Sequence, residues 1–165
     1  MTYATATDLL NQFSAEEIAQ RADRGMPRLV TADMLKTAAA GGDMSGYTAD
    51  EQAAAAAALA LITEKLLDAE SMVNGYLATR YQVPLATVPR LVMVAACDLA
   101  RYALYDDLVT EQIGQRHKDT IKTLESIGAG RISLGIDTAG NKPTINGSAT
   151  IESAGKVFGR DGSFV

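Results

Sequence analysis

Apolar positions recur along this chain at the three-and-four spacing of helices, and the spacing predicts six of them. The first is short, with Leu9, Leu10 and Phe13 as the apolar side of "TDLLNQF". "SAEEIAQRADR" follows, opened by Ser14 and Glu17 at the spacing of a capping box, where each side chain satisfies a free backbone N–H of the other residue. Gly25 and Pro27 break the pattern, and a weaker helix over "TADMLKTAAA" ends at Gly41-Gly42. Thr48 and Glu51 form a second capping-box pair and open the longest element. Within it Leu59, Ile62, Leu66, Ala69, Val73 and Tyr76 step by three and four, while Glu64, Lys65, Asp68 and Glu70 take the opposite face. One side of that helix packs and the other is solvated.

Its far end, "NGYLATRYQVPLATVP", combines small, aromatic and helix-breaking residues. Gly75 reads as a site where a neighbouring backbone approaches closely, and Tyr76 and Tyr81 as apolar bodies with hydrogen-bonding tips. Pro84 forces Val83 out of helical geometry and ends the run. Thr87 is positioned to cap a new helix with Pro89 in its first turn, where a missing N–H costs nothing. That helix, "RLVMVAACDLARYALYDD", is apolar on most sides in its first half and so is the predicted central helix. The last helix is amphipathic through Val109, Ile113, Ile121, Leu124 and Ile127, and Gly128 and Gly130 close it.

After Gly130 the helical period stops. The remaining segment is rich in Gly, Ser and Thr, yet Ile132, Leu134, Ile136, Ile145, Ile151, Val157, Phe158 and Phe164 make it more apolar than a solvated linker needs. It reads as an extended arm that orders on a partner, with "TINGSATI" as a short β-hairpin around the Asn146-Gly147 turn signal. The predicted fold class is mainly α: a small helical bundle with two main antiparallel helices and an extended C-terminal tail. The helical core spans 1–130 and the arm 131–165.

A length of 165 residues accommodates one domain with a real core and little more. Much of the 47% apolar fraction is alanine and tryptophan is absent, which favours close helix–helix approach over a bulky interior. The formal charge of −5, with no basic patch interleaved with aromatics, argues against binding nucleic acid by simple attraction. A single cysteine, Cys97, rules out a disulfide framework within the chain and fits a cytosolic origin. The N-terminal "MTYATATDLL" lacks the layout of a signal peptide, and "AAAAAALALI" is too short and alanine-rich to span a bilayer, so a soluble protein is expected.

No catalytic constellation emerges. His117 stands alone on the last helix, and Cys97 reads as a small core residue with its only possible histidine partner a helix away. Asp98, Asp106, Asp107 and Glu111 form the one acidic set that offers an alternative, a magnesium site for a small metal-dependent phosphoesterase. The simpler account pairs Asp98 with Arg101 on the same helix and leaves the others at helix ends. "ESAGKV" is no phosphate loop, because Thr150 stands where its first glycine belongs and Val157 where Ser or Thr would hold magnesium. A recognition helix beginning near Pro89 would present Arg90 and then Leu91, Val92, Met93 and Val94, residues that suit a core better than a groove of DNA. No catalytic, cofactor-binding or metal-binding residue is assigned, and no cofactor is expected.

Four blocks carry a family resemblance: "YATATDLLNQFSAEEIAQRADR", "VNGYLATRYQVPLATVP", "ACDLARYALYDD" and "RHKDTIKTLESIGAGRISLG". Together, over roughly 3–24 and 60–136, the chain resembles the head–tail adaptor (neck, head-completion) proteins of Mu-like phages and prophages. Against that pattern, 25–58 is a longer, alanine-rich insertion, and nothing beyond Asp137 matches. The resemblance implies a structural virion protein without enzymatic activity. Related adaptors assemble as twelve-fold rings beneath the portal protein, grip it with an extended C-terminal segment, and meet a stopper or tail-completion protein while DNA passes through. The implied location is the virion neck, after a period in the host cytoplasm. In that setting Gly75, Tyr76, Tyr81, Pro84 and Pro89 are expected to set the angle between the two main helices. The apolar residues of the arm, Phe158 and Phe164 above all, are expected to anchor the portal or a neighbouring copy.

Overall fold

The computed structural model describes residues 2–136. They form six α-helices and, among the described residues, no strand: α1 Ala6–Gln12, α2 Ala15–Ala22, α3 Ala32–Ala39, α4 Ala49–Leu77, α5 Arg90–Tyr105 and α6 Glu111–Gly128. The fold class is mainly α, as the apolar spacing predicts. The hairpin expected around Asn146-Gly147 lies outside the described residues, as do Ile145, Ile151, Val157, Phe158 and Phe164.

The long helix α4 starts where Thr48 and Glu51 predict. Both halves of their capping box are made, which satisfies two of the free N–H groups at the helix start. A second capping box, Thr5 with Asp8, opens α1. The box expected at Ser14 and Glu17 is not formed. Ser14 Oγ donates to Glu16 instead, because the Glu17 carboxylate is taken by a guanidinium on α5. A two-bond pairing with an opposite charge outweighs a single bond from the carboxylate to a backbone N–H.

The buried stripe of α4 is Ala55, Ala58, Ile62, Leu66, Ala69, Val73 and Leu77. It keeps the predicted centre but shifts both ends, so that Leu59 and Tyr76 are only half-buried. Fully burying a side chain such as Ile62, Val73 or Leu77 contributes about 1.5–3 kcal/mol. The alanines between them have no bulk to hold the neighbouring helices away.

The central position predicted for α5 is what the structure shows. It packs against α4, α6, α1 and α2, and buries Val92, Ala95, Ala96, Cys97, Leu99, Ala100 and Leu104. Pro89 itself is the N-cap of α5, one residue outside the first turn, so Thr87 does not cap it. Without an N–H, Pro89 leaves no donor unsatisfied there. The helix stops at Tyr105, earlier than the apolar pattern indicated. Asp106 adopts a positive φ of 52° and opens a single 3-10 turn, Asp106–Leu108.

Helix α6 begins behind Thr110, whose hydroxyl accepts the N–H of Ile113. It ends in a Schellman arrangement, with Gly130 N–H bonded to Ile127 O and Arg131 N–H to Ser126 O. Gly130 sits at φ +76°, a conformation in which a side chain is strained.

Candidate interaction surfaces

The stretch 74–89 joins three parts of the molecule. Tyr3, buried ahead of α1, donates its hydroxyl hydrogen to Asn74 Oδ1 on α4, and its oxygen accepts the Leu85 N–H at 2.9 Å. One phenol therefore clamps the end of α4 to the chain that leads into α5. Burial pushes the Tyr3 hydroxyl up, against the lowering effect of the Leu85 bond. Tyr81, also buried, accepts the Leu134 N–H at 3.2 Å. Thr79 Oγ1 donates to Gly128 O at 3.2 Å. A methyl group on Gly128 would stand 2.8 Å from Tyr76 O, so α6 ends in backbone contact with the end of α4.

The structure thus gathers Tyr76, Tyr81 and the chain around Pro84 and Pro89 at one corner of the bundle. Gly75 does not make the close approach expected of it, since the space where its Cβ would point is open. Gly128 takes that role. Of the arm residues, Leu134 and Ile136 pack partly buried against the core, while Ile132 is exposed. The first residues of the C-terminal segment are therefore held beside the turn that joins the two main helices.

A second node locks α2 to α5. Arg101 donates Nε to Glu17 Oε1 at 2.6 Å and Nη2 to Oε2 at 2.9 Å, and the Tyr105 hydroxyl adds a bond at 2.7 Å. The guanidinium also lies over the ring of Phe13, 4.5 Å from its centroid. Burial alone would raise the Glu17 carboxyl, but the bonds from Arg101 and Tyr105 and the nearby cations hold it below its usual value. Arg101 is accordingly not the partner of Asp98, as same-helix spacing had indicated.

Asp98 faces α6 instead. Its Oδ2 accepts the Thr120 hydroxyl at 3.1 Å, Arg116 stands 3.8 Å from Oδ1, and burial raises the carboxyl above its usual range. It lies in a groove of about 660 Å³ between α5 and α6 that has Leu91, Val94 and Ala95 on its apolar floor and Glu111 and Arg116 among its polar walls. Asp106 is elsewhere, 3.6 Å from Arg24. The acidic set proposed for a metal is therefore divided, and among the described residues no three His, Cys, Asp or Glu side chains converge on one point.

His117 stacks on Tyr102 with 3.8 Å between ring centroids, and burial lowers its pKa. Cys97 is wholly buried and its thiol is pushed up to about 12, chiefly by burial, which fits the core role. Among the described residues no helix is long and apolar enough to cross a membrane. Large apolar side chains left in solvent are Met26, Leu67, Met72, Leu91, Leu108 and Ile132. Sequence reasoning passed over Met26, although an apolar residue between Gly25 and Pro27 with Arg24 and Arg28 on either side is an unusual loop composition. It also passed over Tyr3, whose position ahead of the first capping residue is the only signal of its clamping role.

Comparison with known proteins agrees with the ordered blocks of the sequence and also extends past Asp137, where no match was expected. The family model described as "Bacteriophage Mu, Gp36" matches residues 3–153. The Mu-like prophage FluMu protein gp36 of Haemophilus influenzae is 39% identical over 104 residues, 63% of this chain and 74% of that protein. Gene product J of Escherichia phage Mu is 34% identical over 79 residues, 48% of this chain and 56% of that protein. With most of its length matched and its helices in the predicted order, the chain belongs to the bacteriophage Mu Gp36 family.

Proposed function

We propose that this phage-family protein is structural: a head–tail adaptor whose copies form a ring under the portal protein, pass DNA through the middle, and present a surface to a stopper or tail-completion protein. The helices 1–130 act as the rigid wedge of the ring and the segment 131–165 as the arm that grips the portal. The observation that carries this reading is the corner built on 74–89. Tyr3 and Tyr81 fix the junction of α4 with α5 and, with the same corner, the point from which the C-terminal segment departs. A ring subunit needs both quantities constant from copy to copy, because a small error in wedge angle prevents closure. The net charge of −5 keeps phosphate from adhering to the passage.

The test is co-sedimentation with the portal protein of the same phage, using the full chain and a truncation after Ile136. The full chain is expected to bind and the truncation to keep its helical circular dichroism while losing the portal. If the truncation binds as well as the full chain, the arm is not the grip.

A further inference from the structure

Two surface features that share no residue complement each other. The first is the turn between α2 and α3. Asp23 is buried, and its carboxylate accepts the N–H groups of Gly25 at 2.9 Å, Leu29 at 2.7 Å and Val30 at 2.9 Å, so the turn is wound about one side chain. At its tip Met26 is 93% exposed, more than any other large apolar side chain among the described residues. Arg24 and Arg28 flank it and are exposed. Arg24 meets Asp106 only across 3.6 Å between two solvated groups, and Arg28 makes no salt bridge among the described residues.

The second feature is the α5–α6 groove. Its floor is apolar and its walls carry three carboxylates, Asp98, Glu111 and Asp119, against one cation, Arg116. The Asp98 side chain is 10% exposed, and its Oδ1 has no hydrogen-bond partner, with Arg116 left at 3.8 Å. A buried carboxylate oxygen without a donor is costly, and Arg116 stands too far off to supply one. The Asp98 charge is left only partly offset and favours further positive charge at the groove.

We infer that the Arg24–Arg28 turn of one copy docks into the α5–α6 groove of a second copy, with Met26 on Leu91, Val94 and Ala95 and the arginines facing Asp98 and Glu111. This rests on the ring reading and deepens it by naming the two faces. The occupant is a second copy because the turn carries an apolar tip and two arginines for a groove whose carboxylates, Asp98, Glu111 and Asp119, outnumber its one cation, Arg116, while within its own chain Met26 stands in solvent. Methionine fills irregular apolar gaps well, and arginine is the cation least penalised by leaving water. Since turn and groove are different surfaces, the contact runs head to tail, the kind of contact from which a ring forms when the rotation between copies closes. One such contact buries less than the roughly 1,000 Å² of a stable pair. Each copy in a closed ring makes it twice, and closure holds what a free pair would release.

Disulfide trapping of the full chain tests the contact, because it accumulates weak encounters. Met26→Cys and Gln112→Cys, the second on the groove wall, are prepared separately and mixed under mild oxidation. Cys97 is buried and does not compete. The expected product is a dimer whose disulfide maps to positions 26 and 112 by peptide mass spectrometry. It is lost when the groove copy carries Glu111→Lys and recovered when the turn copy then carries Arg28→Glu. No such product at the highest soluble concentration, or insensitivity to both charge changes, overturns the inference. So does a disulfide formed within single chains carrying Gln112→Cys and Phe158→Cys, which would identify the chain's own C-terminal segment as the occupant. Portal-bound rings without the 26–112 contact refute the docking alone. An intact contact in protein that ignores the portal refutes the portal reading alone.

Discussion

Two carboxylates in this molecule respond to burial in opposite ways, and the difference is set by their partners. Glu17 has three strong donors, two from Arg101 and one from Tyr105, and its carboxyl is held below the ordinary value despite burial. Its contribution to stability is present above the unfolded pKa and is lost as pH falls through the lower folded one. Glu17→Ala removes the fork and leaves a largely buried guanidinium uncompensated. The expected loss is about 2–3 kcal/mol, read as a drop in the urea midpoint with unchanged m-value. Asp98 has one neutral donor, Thr120, and a distant Arg116, so burial wins and its carboxyl is raised. A raised folded value means that stability falls as pH rises through it. Asp98→Asn is therefore expected to be more stable than wild type near neutral pH, by up to about 1 kcal/mol. That advantage should fade on acidification toward about pH 4, near the ordinary carboxyl pKa. Urea midpoints at both pH values check it, and an advantage that grew on acidification would reverse the assignment.

At the scale of the helices, the two glycines at the corner separate packing from propensity. Gly128→Ala places a methyl 2.8 Å from the backbone oxygen of Tyr76, which has no rotamer with which to yield. The ends of α4 and α6 must part, at a cost of about 1–3 kcal/mol. Gly75→Ala meets open space inside a helix and should stabilise by about 0.5–1 kcal/mol. Thermal melts of the two variants should move in opposite directions. The contrast also marks what the sequence could disclose. Helix existence, the Thr48–Glu51 start of α4 and the centrality of α5 follow from local pattern, because spacing and capping are decided within a few residues. Which glycine touches a neighbour is decided by how helices cross, and no local pattern records that. The same holds for Glu17, whose spacing to Ser14 is right for a cap but whose carboxylate is claimed by Arg101, 84 residues away. The α5–α6 groove was illegible for the same reason: Asp98, Glu111 and Leu91 come together only when two helices pack.

For the molecule as a whole, the corner at 74–89 is where the two main helices, the N-terminal residues and the start of the C-terminal segment share hydrogen bonds. Tyr3→Phe keeps the apolar body and deletes the hydroxyl that serves both Asn74 and Leu85. The buried Leu85 amide and the half-buried Asn74 side chain then lose their partner, and a destabilisation of about 1–3 kcal/mol is expected. Tyr81→Phe deletes one acceptor at the opposite side of the corner, the one that holds Leu134 N–H. That amide lies at the edge of the packed region, so its release is a local event, with little effect on the global unfolding free energy. Hydrogen exchange separates the two outcomes. In Tyr81→Phe the Leu134 amide should exchange faster while the core amides of α4 and α5 keep their protection. In Tyr3→Phe protection should fall across the α4–α5 junction. If Tyr81→Phe instead lowered protection throughout, the start of the C-terminal segment would be a cooperative part of the helical core, and an arm that begins at 131 would have to be redrawn to begin beyond Ile136.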